Sequence, residues 1–104
     1  MTKLELFFGG NIGSAAGVSD ADWRRFLADE VTPRFPDGFS VVGLQGQYRN
    51  AAGVIIAEDS RELVVIVPNA GDGAGRANAI RDAYKMRFRQ ESVLLVQSEV
   101  CAAF

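Results

Sequence analysis

The stretch Val31–Arg49, VTPRFPDGFSVVGLQGQYR, decides how the rest of the chain is arranged. Pro33 and Pro36 fix the backbone, and Asp37-Gly38 supplies a reversal. A helix therefore ends before Pro33, a rigid turn follows, and a strand begins near Val41. Along that strand, Val41–Arg49, side chains alternate. Val42, Leu44 and Tyr48 fall on one side, and Gln45, Gln47 and Arg49 on the other. The pattern suits a half-exposed strand or the wall of a polar-lined cavity.

Working upstream, Ser19 is a good helix N-cap, with Asp20 and Asp22 in the first turn, where the helix dipole favours acids. Trp23, Phe26, Leu27 and Val31 recur at helical spacing and form one buried stripe. Pro33 limits this helix to Val31 or Thr32. Gly9–Val18 reads as a loop by composition, and Lys3–Phe8 alternates as a first strand.

Downstream, Asn50–Gly53 is a turn. Val54–Val67 reads as one long strand with a bulge at Glu58-Asp59-Ser60; a separate short hairpin is the competing parse. Leu63, Val65 and Val67 are apolar on one face and Val64 and Ile66 on the other, which implies a central strand covered on both sides. Pro68–Gly75 is a second glycine-rich loop. Arg76–Arg89 forms the second helix, with Ala77, Ile80, Tyr84 and Phe88 inward. Val93–Val96 is a last strand. The tail Gln97–Phe104 ends apolar, so Val100 and Phe104 are expected to dock.

The element order is β-α-β-β-α-β, the ferredoxin-like split βαβ arrangement of an α+β sandwich. It predicts a four-stranded antiparallel sheet in spatial order 4-1-3-2, with two helices on one face. The bare face should carry Glu5, Phe7, Gln45, Gln47 and Arg49, together with one alternation of the third and fourth strands. Such a face is too apolar for water, and a homodimer packed sheet face to sheet face is the simplest cover.

Composition narrows the function classes. At 104 residues the chain reads as a single domain, residues 1–104, large enough for one core. A net charge of −2 argues against a general nucleic-acid binder. Histidine is absent, which removes Ser-His-Asp and Cys-His catalysis and the histidine-based metal sites. With one cysteine, Cys101, there is no intrachain disulfide and no cysteine metal cage. No metal and no cofactor is expected. No apolar run has the length of a membrane span, and the N-terminus lacks a signal pattern. The expected compartment is cytoplasmic, or secreted or periplasmic if a leader was removed.

The candidate chemistry is polar and sparse. The two glycine-rich loops each enter a helix N-terminus, as phosphate cradles do, but neither matches a phosphate-binding motif, and both read as mobile connectors. Gln45, Gln47 and Arg49, with Glu58 and Ser60 on the neighbouring strand, can orient a small polar ligand. Their bland reading is a solvated strand face or interface hydrogen bonds. Arg81, Lys85 and Arg89 read as a solvated helix face, and Arg34 as a pin for the proline turn. Tyr84 falls on the core stripe, and Cys101 reads as a buried or inert thiol.

Several segments together, FFGG, VTPRFPDGFSV, GQYRNAAG and YKMRFRQESVLLV, resemble an uncharacterised bacterial domain-of-unknown-function family. The resemblance covers nearly the whole chain and is most specific at VTPRFPDG and YK-x-RF-x-QESVL. It implies relatives with a secretory or lipoprotein leader, a feature this chain does not display. It brings no catalytic residues. The resulting expectation is a small dimeric domain that binds a small polar or aromatic ligand on the bare sheet face through Gln45, Gln47, Tyr48, Arg49 and Glu58. The alternatives are a cofactor-independent enzyme using Glu58, Tyr84 or Lys85, and a purely structural interaction module.

Overall fold

In the computed structural model, which describes residues 1–11 and 17–104, the elements follow one another as β1 (Thr2–Gly9), α1 (Asp20–Phe26), β2 (Ser40–Arg49), β3 (Ile55–Val67), α2 (Gly73–Phe88) and β4 (Leu94–Glu99). The strands form one antiparallel sheet of four, in the order β2-β3-β1-β4. With its two helices the chain is an α+β protein.

The helix boundaries follow local chemistry. The Ser19 hydroxyl accepts the Asp22 N–H at 3.0 Å and starts α1. Its last turn, Leu27–Val31, widens into a π-helix, in which the Thr32 N–H donates to the Leu27 carbonyl at 2.9 Å. Pro33 has no N–H to continue the ladder. Arg34 then pins the turn as expected, donating to the Glu30 carbonyl at 2.9 Å and pairing with its carboxylate at 2.6 Å. Helix α2 begins before the expected Arg76, at Gly73, because the Asp72 carboxylate caps it through the Gly75 N–H at 3.1 Å. A Cβ on Gly75 would lie 2.4 Å from that carboxylate, so the cap needs glycine there.

The core lies between the helices and one face of the sheet. Leu4, Leu6 and Phe8 of β1, Leu63 of β3, Phe26 of α1 and Ile80 and Tyr84 of α2 are completely buried. Aromatic rings join the layers. Phe8 sits 4.7 Å from Tyr84 and 5.1 Å from Trp23, centroid to centroid, in tilted and edge-on contacts that such rings favour.

Several expectations are corrected. Strand β3 has no bulge: Leu44–Ser60, Gln45–Asp59 and Gly46–Glu58 pair one to one. The run Glu58–Ser60 needs no interruption because no residue of it is fully buried. β3 is central in the sheet but covered on one face only, with Ile66 37% exposed on the other. β4 runs on to Glu99, and Val100 is held by Met1 through paired backbone bonds of 2.9 and 3.1 Å. Beyond that anchor the tail does not dock: Phe104 is 98% exposed, and Cys101 is exposed rather than buried. The expected connector Gly9–Val18 lies partly outside the described residues.

One feature positions the site. The pairing of β1 with β3 stops at Gly9–Ser60, while β2 and β3 pair onward to Arg49–Ile55. The hairpin therefore projects past the helical layer as a two-stranded arm, and the molecule measures 43 × 26 × 20 Å. Among the described residues no helix is long and apolar enough to cross a membrane.

Candidate functional site

Register decides which side chains share a face. Residues directly opposite in an antiparallel pair project to the same side. Leu4, Leu6 and Phe8 face the helices and pair with Val65, Leu63 and Arg61. On β2, Arg61 pairs with Gly43, and stepping by two along the hairpin brings Gln45, Gln47 and Arg49 onto the same side. This overturns the expectation that they lie on the bare face. Tyr48 and Glu58 belong to the uncovered face, beside Leu44, Ser60 and Ile56. All of Gln45, Gln47, Tyr48 and Arg49 are exposed, because the arm carries them beyond the helices.

The five candidates thus separate. Tyr48 and Glu58 line a groove of about 600 Å³ at the base of the arm, together with Phe7, Gly9, Gln90 and Leu94. Gln45 lines a second concavity of about 910 Å³ near Ser19, Asp20 and Arg61, which Glu58 also borders. Gln47 and Arg49 line neither cavity. A volume near 600 Å³ is the size of a small-molecule site.

The groove is built around Gly9. From beneath, the buried Tyr84 hydroxyl donates a hydrogen bond to the Gly9 carbonyl. From above, the Glu58 carboxylate and the Gln90 side-chain oxygen both come within 3.0 Å of where a Gly9 Cβ would stand. Any side chain at position 9 would fill the space between them. Phe7 and Tyr48 supply aromatic walls, and Arg89, in a left-handed conformation with φ of 52°, turns the chain from α2 into the groove rim. Phe7, Gly9 and Gln90 escaped the sequence reading of candidate residues. The signal was present in the loop geometry, since strand order places Gln90–Ser92 at the same end as the first glycine-rich loop.

The three candidate proton-transfer groups, Glu58, Tyr84 and Lys85, sort equally clearly. Burial pushes the Tyr84 phenol up to about 12, with Glu58 adding to the shift and Arg61 opposing it. Pinned on a carbonyl and neutral at ordinary pH, Tyr84 is a structural rivet. Lys85 pairs with Asp82 at 3.4 Å on the helix surface and lies outside the groove. Glu58 alone of the three faces the cavity.

The rest of the uncovered face is apolar with a carboxylate pair at its centre. Val42, Ile66, Leu94 and Val96 are each more than a third exposed. Glu62 is held above the ordinary carboxylate range, chiefly by a hydrogen bond shared with Glu5, then by burial and by the Glu5 charge, with Lys3 opposing. Lys3 itself stands 3.7 Å from Glu5.

Residues 3–104 match the family model described as proteins of unknown function, DUF3574. The chain belongs to the DUF3574 family. The resemblance to an uncharacterised family stands in that form. No curated protein matches this DUF3574 chain. Among solved structures, it resembles a phage SAM lyase in complex with S-methyl-5'-thioadenosine, with a TM-score of 0.73 at 22% identity, over 94% of this chain and 80% of that one. The same kind of enzyme in its apo state gives a TM-score of 0.71 at 22% identity, over 93% and 78%. At this identity the likeness establishes a shared fold.

Proposed function

We propose that this DUF3574 chain binds a small molecule with aromatic and polar parts in the groove at Gly9, and that it does so as a homodimer whose second copy covers the uncovered sheet face. The observation that carries the reading is the Gly9 cradle, a carbonyl fixed from below by Tyr84 with Glu58 and Gln90 above it. Tyr48 and Phe7 offer faces for a heteroaromatic ring, and Glu58, Gln90 and backbone groups offer partners for hydroxyls. A nucleoside thioether has this combination of parts, and the ligand of the phage enzyme makes S-methyl-5'-thioadenosine the first compound to test. Of the sequence candidates, Tyr48 and Glu58 serve the groove, while Gln45, Gln47 and Arg49 lie on the other side of the arm and take no part in it. The domain is read as one unit, residues 1–104, of the ferredoxin-like class, on the strength of its alternating elements.

Titration calorimetry of the wild-type protein with S-methyl-5'-thioadenosine and with SAM tests the reading. Binding is expected, with a loss of about fivefold to thirtyfold in Tyr48→Ala and in Glu58→Gln, because each removes a contact worth roughly 1–2 kcal/mol. Absence of heat or of thermal stabilisation with both compounds at millimolar concentration would count against it. A catalytic version has one specific support, the carboxylate of Glu58 facing the cavity while the other candidate proton-transfer groups, Tyr84 and Lys85, do not. Chromatography of SAM incubated with the protein separates the two: formation of S-methyl-5'-thioadenosine that disappears in Glu58→Gln favours the enzyme.

A further inference from the structure

At the end of the sheet remote from Gly9, strand β3 is left with one flank free. β1 pairs with it as far as Thr2–Val67, whereas β2 begins only at Ser40, opposite Val64. Val65–Val67 therefore has a strand on one side and, among the described residues, none on the other. The chain between Phe35 and Ser40 swings away from this flank, helped by Pro36 and by Gly38 with φ of 138°. The space left is an apolar groove of about 560 Å³, floored by Val65 and Val67 and walled by Phe35, Phe39 and Pro36.

The walls are fixed. Phe35 is 3% exposed, and the Arg76 guanidinium lies 4.6 Å over its ring while donating to the Arg34 carbonyl at 2.8 Å. At the rim stands Phe104, 98% exposed. The last backbone anchor before it is Val100, on Met1. Cys101, Ala102 and Ala103 in between are small residues, suited to close backbone approach.

An aromatic side chain in water thus stands beside an aromatic-walled groove that it does not fill. We propose that each copy of a homodimer seats its Phe104 in the partner's groove, with the tail 101–104 lying along the free flank of Val65–Val67 as an added strand. This inference rests on the homodimer reading above. Two observations favour a second copy as the occupant. Tail and groove lie at the same end of the molecule, so one two-fold exchange satisfies both copies and closes the assembly. Val64 and Ile66, which border the groove, also belong to the uncovered face, so the tail contact is continuous with face-to-face packing.

The test uses a photoreactive benzoylphenylalanine at position 104 in a mixture of isotopically heavy and light full-length protein. Irradiation and mass spectrometry are expected to give heavy–light cross-links from position 104 to Phe35–Ser40 or Val64–Pro68. Cross-links confined to the same chain overturn the proposal. Light scattering gives the second arm. Phe104 takes no part in the core, so F104A folds, and it is expected to weaken the dimer at least about tenfold, from the loss of a buried phenyl ring on each side. A dimer of unchanged affinity in F104A overturns tail exchange and leaves the face-to-face contact standing. A wild-type protein that is monomeric at every concentration overturns the homodimer reading and this inference with it.

Discussion

Replacing Tyr84 by phenylalanine tests whether the groove floor is held the way the geometry indicates. The substitution keeps the ring, and with it the contacts to Phe8 at 4.7 Å, Phe88 at 4.9 Å and Phe26 at 5.1 Å. It removes only the hydroxyl that donates to the Gly9 carbonyl. A typical hydrogen bond contributes about 1 kcal/mol net, and leaving its buried partner unsatisfied raises the cost, so a loss of roughly 1–3 kcal/mol is expected. With a urea slope of about 1–3 kcal/mol/M for a small domain, the midpoint should fall by an amount on the order of 1 M. The same phenol makes a second, independent signature. Its folded value is raised from 10.0 to about 12. Between those values the folded state keeps a proton that the unfolded chain has lost, so wild-type stability should fall as pH rises through that window. Tyr84→Phe should lack that slope. Urea melts at pH 7 and at intervals from pH 9 to about 12 read both effects. A variant indistinguishable from wild type at neutral pH, with the alkaline slope retained, would refute the assignment of Tyr84 as the rivet beneath Gly9.

Two other substitutions probe the sheet on either side of that rivet. Glu62→Gln should stabilise the protein at neutral pH, because the carboxylate is held above its ordinary value by Glu5 and its charged form is disfavoured in the fold. Thermal melts across the acidic range should show wild-type stability rising as pH falls through the raised Glu62 value, with the advantage of the variant shrinking accordingly. Gly10→Ala places a Cβ 2.4 Å from the Asp59 carbonyl oxygen, backbone against side chain, so the arm base must shift. A destabilisation of about 1–3 kcal/mol is expected in denaturant melts, the range for overpacking a closed site.

Much of the fold is legible in the chain because local signals agree with one another. Ser19 and Pro33 bound the helical stretch from its two ends, the first through a backbone hydrogen bond made and the second through one denied, and the Trp23–Val31 stripe between them marks its buried side. Asp72 was the harder signal. Embedded in glycines it reads as loop, yet its carboxylate caps Gly75 and pulls the start of α2 forward to Gly73. The acidic run Glu58–Ser60 reads as an interruption because charges are unfavourable in a buried strand, but the arm is not buried, so nothing there forces a bulge.

The faces of β2 were not legible, and the reason bears on function. Alternation separates Val42, Leu44 and Tyr48 from Gln45, Gln47 and Arg49, but it does not say which set meets the helices. A shift of one residue exchanges the sets. The choice is made elsewhere, by Leu63 in the core and by the register that pairs it with Val41, and Arg61 with Gly43, on the neighbouring strand. The intuitive assignment, apolar inward and polar outward, fails because the helical layer ends before the strand does. Gln45, Gln47 and Arg49 point to the helix side where, among the described residues, no helix stands, and all three are exposed there. The apolar set is turned onto the open face instead. That reversal makes the face more apolar than the sequence reading supposed, adding Val42 and Leu44 to Phe7, Val64, Leu94 and Val96. It also leaves Tyr48 as the aromatic of β2 beside the Gly9 groove. The open face therefore offers a covering partner more apolar surface, and the candidate site lies not along the row of glutamines but where an aromatic strand face, a carboxylate and a glycine floor converge.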